Sequence, residues 1–459
     1  MKAIRWTLAS VVIVAVYVLS PLTVWFALAI VPVVALTTRG LNADEQRWVV
    51  GLTVIAIALR IAAVVALFLA TDHTQVPFGT FFGDEDYFIK RSLWLRNVAL
   101  GVPVHAFDLE YAFEPNGRSS YLYLLAFIQA LVGPAPYGLH LLSIALYVLA
   151  VLLLYRTLRV PLGRMPALFG LTVLLFVPSL FAWSVSVLKE PLFVLLNALS
   201  LVLAVTLVRA SSLVRRALAV VGIVVLAAVL ETVRQNGALF ALVGLGLGLV
   251  IAYVAVRPRL MLASLVATPL VLGAVFNGPD VQLKAYAAIQ RAARQHWGAV
   301  VVSRGYGYRL LDERFYPALN EASSLEFSET LRYLARAVGA YLTVPRPWDA
   351  QSRAAAAYIP EQVIWYVLAA LAPVGMLFGF RRDPIVTGLL IADTLLIAAA
   401  SAFTDGNVGT LVRHRGLVLP YLVWFSGVGA CELLATLRPS QPNSPFQAFT
   451  PRFRGMRSA

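Results

Sequence analysis

Long apolar runs alternate with short polar breaks along nearly the whole chain. Stretches such as 192–208, 237–256 and 260–276 approach the roughly 20 residues needed to cross about 30 Å of hydrocarbon. In lipid every backbone amide must find a partner within the protein, and no alternating ten-residue strand segments appear, so the pattern predicts helices rather than a barrel. Spans are expected at about 48–71, 139–158, 165–182, 191–208, 213–230, 236–256, 258–276, 361–380, 384–402 and 415–436. The first 38 residues are apolar for longer than a signal peptide's core and carry no evident small-residue cleavage site, predicting an uncleaved hairpin broken near Pro21 or one long span. The fold class is therefore an all-α polytopic membrane protein with about 10–12 transmembrane helices.

Composition agrees with this pattern. Of 459 residues, 60% are hydrophobic and 13% charged, and the mean hydropathy is +0.80, more apolar surface than a single soluble core could hide. The single cysteine, Cys431, lies in the last apolar stretch and permits no disulfide framework. A formal charge of +14 could suggest nucleic acid, but the arginines are spread over short loops between spans, so nucleic acid is not an expected partner and membrane lipids are.

Arginine placement also predicts orientation. Arg39 and Arg47, then Arg156, Arg159 and Arg164, then Arg209, Arg215 and Arg216, then Arg257 and Arg259, then Arg381 and Arg382 fall in alternate loops. A ten-span arrangement starting at residue 48 puts them all on the cytoplasmic side, together with Arg438 and the tail. Residues 121–132 are too short to span and would invert every later loop if they did. They are expected as a juxtamembrane helix with Tyr121 and Tyr123 at headgroup level. The expected organisation is a membrane hairpin or span over 1–47, a core over 48–276 with an outer loop at 72–138, an outer-face segment over 277–360, membrane helices over 361–436 and a disordered cytoplasmic tail over 437–459.

The outer side then holds most residues capable of chemistry. Asp84, Glu85 and Asp86, flanked by Tyr87, could furnish a general base or hold a divalent cation such as magnesium or manganese; a solvated acidic loop is the bland alternative. Lys189 and Glu190 precede Pro191, where a helix start with dipole compensation explains them equally well. Arg234 sits at the next outer turn, where an arginine can simply reach the headgroups. Asp405 to Arg415 forms a glycine-bearing stretch, read as a loop, that ends in Arg413, His414 and Arg415; this set suits a phosphate. In the outer segment Arg304 and Trp348 represent a mixture of arginines and aromatics that suits sugar stacking or an interfacial belt. Arg60 and Asp393 lie near span centres, where each must pair or face a cavity.

Several absences narrow the reaction. No glycine-rich loop precedes Lys-Ser or Lys-Thr, the five histidines show no paired metal spacing, and no Gly-x-Ser-x-Gly elbow occurs. The run Gly244, Gly246 and Gly248 is mid-span and reads as close helix packing. An enzyme of this kind needs an energised substrate delivered through the membrane.

The order of these motifs resembles the GT-C glycosyltransferases. An outer-loop Asp84-Glu85 pair comes first, then a juxtamembrane segment ending in Gly133-Pro134, then an apolar stretch ending at Pro178-Ser179 ahead of Glu190. Within that superfamily the chain looks most like the protein O-mannosyltransferases and lipid A aminoarabinose transferases, with Arg415 and Pro420 similar to a closing Arg-x(4)-Pro element. The resemblance covers about 48–275 and returns near 404–436. It implies a GT-C-like bundle in the plasma membrane with its site on the periplasmic or extracellular side, and a polyprenyl-phosphate-linked sugar as donor. By that resemblance Asp84 is the base with Glu85 its neighbour, Glu190 the second acid, and Arg234 and Arg415 the cations. Lys189 and the Arg-His-Arg triplet depart from the usual pattern. They also look like membrane proteins of exopolysaccharide assembly, so a glycan or lipid-linked acceptor is expected rather than protein. A polymerase or ligase acting on undecaprenyl-linked glycans, and a lipid-sugar transporter or flippase, are the alternative readings.

Overall fold

The computed structural model describes residues 2–115, 119–276, 278–303, 307–312, 314–315, 327–349 and 356–437. Among them run eighteen α-helices and no strand. They are α1 Lys2–Leu19, α2 Pro21–Thr38, α3 Ala43–Ala70, α4 Gly83–Ala99, α5 Ala106–Phe113, α6 Ser120–Val132, α7 Pro136–Leu162, α8 Arg164–Phe176, α9 Pro178–Ser184, α10 Glu190–Arg209, α11 Leu213–Val233, α12 Gly237–Ala255, α13 Pro258–Phe276, α14 Pro279–Val302, α15 Phe327–Thr343, α16 Ile359–Arg382, α17 Pro384–Thr404 and α18 Val408–Leu437. Nine of the described helices are long and apolar enough to cross a membrane, and ten if the bent α8–α9 pair counts as one span. The chain is a multi-pass helical membrane protein. α6 is apolar but only 13 residues long, as expected of 121–132.

The bundle has two chemically different ends. At one end Arg159 donates to Glu45 at 2.6 and 2.8 Å, Arg156 donates to the carbonyls of Leu36, Thr37 and Arg39, and Arg209 pairs with Asp383. Arg382 pairs with Glu432 at 2.6 Å there and also donates to the Leu162 carbonyl. The loops that carry Arg39, Arg156 and Arg159, Arg209 and Arg382 therefore share one end, as their alternation in sequence requires.

At the other end α4, α5 and α6 form a small cap. Gln129 donates to Ser92 at 2.8 Å, Arg96 donates to the Gln129 carbonyl at 2.9 Å, and Arg91 donates to the carbonyls of Ala112 and Glu114. Tyr121 does not face lipid: it is fully buried, with its ring edge-on to Phe88 at 5.5 Å, because α6 packs the face of Tyr121, Leu125 and Gln129 inward, while Tyr123 keeps 40% exposure. The 277–360 segment is largely helical where described, and it docks on the turn between α17 and α18. His296 lies 2.5 Å from the Asp405 carbonyl, Tyr308 donates to the Gly406 carbonyl at 3.0 Å, and Tyr333 donates to the Phe403 carbonyl.

Arg60 finds its partners at a helix break. Pro178 has no N–H, so the Leu174 carbonyl loses its helical donor, and the chain turns by 62° between α8 and α9. Tyr147 donates to that carbonyl at 2.6 Å, and Arg60 donates to the Leu175 carbonyl at 2.9 Å and to Ser184 at 2.7 Å. On the far side of the break the freed Ser179 amide donates to Glu361 at 2.9 Å. The glycine run of α12 packs as expected at two of its three positions: Gly248 lies against the Leu389 backbone and Gly244 against Asp393, both on α17, while Gly246 meets nothing.

Candidate functional site

The first turn of α4 separates its three acids. Phe82 caps the helix, and Glu85 at the third position reaches back to accept from the Phe81 and Phe82 amides at 2.5 and 3.0 Å. Its other oxygen accepts from the Val187 amide at 2.6 Å. Glu85 is fully buried, and desolvation pushes its carboxyl above the usual range against the pull of those three N–H groups. It is a clamp between the α4 cap and the 185–188 loop, not a partner of Asp84 at the surface. Asp86 pairs with Lys90 at 2.6 Å one turn on. Asp84 alone faces the cations.

Arg413 gathers the acids from distant parts of the chain. Its guanidinium donates to Asp84 at 2.8 Å and to Glu190 at 2.5 and 3.1 Å. The Asp84 side chain is 62% exposed and that of Glu190 4%, so one acid faces solvent and the other is enclosed. Glu190 opens α10, where the helix N-terminus favours its charge. Lys189, the residue before it, is half-buried, and among the described residues its ammonium has no hydrogen bond or ion pair. Burial lowers its pKa, while Glu190 opposes that shift.

A second strand of contacts runs through His414. Its Nδ1 lies 2.8 and 2.9 Å from the two Asp405 oxygens, and Arg234 lies 3.2 Å from its Nε2. These two contacts orient the ring, with Nε2 toward the guanidinium and Nδ1 toward the carboxylate. Arg234 leaves α11 in an extended turn and stacks over the Phe193 ring at 5.5 Å. Desolvation lowers its pKa, and Glu190 again opposes the shift. Asp405 opens the stretch singled out in the sequence, but without a role of its own there; the fold makes it the carboxylate partner of His414. Its carbonyl is held by His296, and its signal was its spacing of nine residues from a histidine across a helix start.

Arg415 does not join this cluster. Residues 408–415 are the first turns of α18 rather than a loop, so consecutive side chains diverge by about 100° and Arg415 points away from Arg413. It is buried between the Tyr341 and Trp365 rings, at 5.4 and 5.0 Å. There it donates to Gln362 at 2.6 Å and to the carbonyls of Val344 and Tyr341. Tyr87 turns aside as well, packing on Arg91 and Tyr111. Trp348 is 78% exposed on a 3-10 turn, and no hydrogen bond or ring contact joins it to the cluster among the described residues. Arg304 lies outside the described residues.

The set Asp84, Glu190, Asp405, Lys189, Arg234, Arg413 and His414 can accept a proton at an exposed carboxylate and offers cationic donors to an oxyanion beside it. Asp84, Glu85 and Asp86 do not fit a shared metal, because each faces a different partner, and no three His, Cys, Asp or Glu groups among the described residues could hold an ion. Compared with known protein families, with curated proteins and with solved structures, the chain matches none.

Proposed function

We propose that this protein is an integral-membrane glycosyltransferase of GT-C type, moving a sugar from a polyprenyl-phosphate donor to a glycan or lipid-linked acceptor. The observation that carries the reading is Arg413 bridging Asp84 and Glu190 beside Arg234 and Lys189, side chains drawn from four separate parts of the sequence to one end of the bundle. In this scheme Asp84 takes the proton of an acceptor hydroxyl, whose oxygen attacks the anomeric carbon. The bond from that carbon to the phosphate oxygen breaks, and the polyprenyl phosphate leaves with its charge against Arg413, Arg234 and Lys189. A single displacement inverts the anomeric configuration. The arginine-rich opposite end supports a cytoplasmic assignment for that side, and so an outer-face site in the plasma membrane. No step is routed through magnesium or manganese, since the neighbouring acids are committed elsewhere.

The test is transfer by the purified full chain in detergent, supplied with polyprenyl-phosphate sugars and oligosaccharide acceptors. Transfer that persists undiminished in Asp84→Asn would remove the base assignment. A flippase is the second reading, favoured by Asp393, which lies within α17 and, with Asn197 and Arg234, lines a small cavity of about 50 Å³. Movement of a labelled lipid-sugar across proteoliposomes, with no transfer from any donor, would favour it.

A further inference from the structure

Asp84 also lines an open groove of about 900 Å³ between α4 and α5. Its walls combine rings and acids: Trp94, Phe107 and Tyr111 on one hand, Asp86, Asp108 and Glu114 on the other. Tyr111 is bracketed edge-on by Tyr87 at 5.5 Å and Trp94 at 5.8 Å, so its ring is fixed before anything binds. Phe107 is 78% exposed, a large ring held toward solvent beside these carboxylates. Flat apolar faces next to hydrogen-bond acceptors match a pyranose, whose C–H faces stack on rings while its hydroxyls donate outward.

Charge narrows the class further. The lining residues include four acids, Asp84, Asp86, Asp108 and Glu114, and one cation, Lys90; Asp86 engages Lys90 at 2.6 Å and Asp84 engages Arg413 at 2.8 Å, so the groove carries an excess of carboxylate led by Asp108. An acidic sugar would be repelled, and an amine would be attracted. The same acids argue against α5 as an anchor on anionic lipid, although Phe107 and Phe113 are both exposed. We infer that the α4–α5 groove is the acceptor subsite and takes a neutral or amine-bearing saccharide, excluding uronic and phosphorylated ones. This inference rests on the transferase reading only for the word acceptor.

Binding without donor separates the two claims. The full chain in neutral detergent would be titrated with malto-oligosaccharides, chitosan oligosaccharides and oligogalacturonates at low salt, and binding followed by isothermal calorimetry. The neutral and amine-bearing sugars should bind at least about tenfold more tightly than the uronate. Phe107→Ala should weaken both about tenfold without shifting the thermal midpoint, and Asp108→Asn should erase the advantage of the amine. Equal affinity for the uronate, or unchanged binding in Phe107→Ala, overturns the proposal. Loss of adsorption to anionic vesicles in Phe107→Ala, with sugar binding intact, overturns it in favour of a membrane anchor. Binding as expected with no transfer defeats only the transferase reading. Transfer whose acceptor KM is unmoved by Phe107→Ala defeats only the groove.

Discussion

Adjacent residues in this protein have opposite fates, and substitutions can tell them apart. Asp84→Asn should lower transfer by about 10²- to 10⁴-fold, the usual worth of a positioned general base, with no change in the unfolding midpoint. Glu85→Gln should do the reverse. It keeps one acceptor but turns an amide toward backbone donors, and should destabilise the fold by about 1–3 kcal/mol, measured by thermal unfolding in detergent. The pH dependence has a definite sign. Burial raises the Glu85 pKa in the folded state, so the fold binds more protons than the unfolded chain between the ordinary value of 4.5 and the raised one. This carboxyl's contribution therefore falls as pH rises through that window, and Glu85→Gln should flatten the slope. Arg415 behaves like Glu85: replacing it with Met leaves Gln362 and buried carbonyls without their donor, at a cost of about 3 kcal/mol. Arg413→Met should abolish donor use and also destabilise the fold by about 1–3 kcal/mol, because Asp84 can return to water but the enclosed Glu190 is left without its donor.

Among the elements, most spans were legible because hydrophobic length is a property of whole segments, although the expected span at 258–276 is among the shorter apolar helices and Pro21–Thr38 is long enough to cross. The short 121–132 helix was legible for the same reason. Rotation about a helix axis was not. Three consecutive acids or cations read as one cluster in a sequence, yet in a helix they spread over most of its circumference. That is why Asp84 and Arg413 meet while Glu85 and Arg415 do not. The glycines at 406 and 409 suggested a loop, but Gly406 is small because His296 and Val300 of α14 press on it. The burial of Arg60 could be foreseen, but its partner could not, since the open carbonyl arises only where Pro178 breaks the helix. Arg60→Leu should leave the Leu175 carbonyl unpaired in an apolar interior and lower stability by about 1–3 kcal/mol. Pro178→Ala, by restoring a donor to the Leu174 carbonyl, should make the Tyr147 hydrogen bond dispensable, and a double substitution with Tyr147→Phe would measure that coupling.

For the whole molecule, sidedness is the property on which the transferase scheme turns. In a Cys431→Ala background, Ser212→Cys at the arginine-rich end and His105→Cys at the opposite end should react with a membrane-impermeant maleimide from opposite faces of sealed vesicles. The arginine end is expected to face the cytoplasm. Labelling of both from one face would contradict the two-ended arrangement. That arrangement was legible in the sequence, whereas the docking of the 277–360 segment onto the Asp405 turn was not, because its contacts are backbone carbonyls that no side-chain pattern encodes.

The formal charges around Arg413 cancel: three carboxylates, Asp84, Glu190 and Asp405, stand against three cations, Lys189, Arg234 and Arg413, with the His414 ring between them. An incoming phosphate thus meets no net attraction until one of these ion pairs opens. The simplest relief is for Arg413 to let go of the exposed Asp84 and turn to the newcomer, which would free that carboxylate at the moment a donor arrives. Asp84→Asn should therefore hold phosphate more tightly even as it loses transfer, a divergence that calorimetry with inorganic phosphate would read.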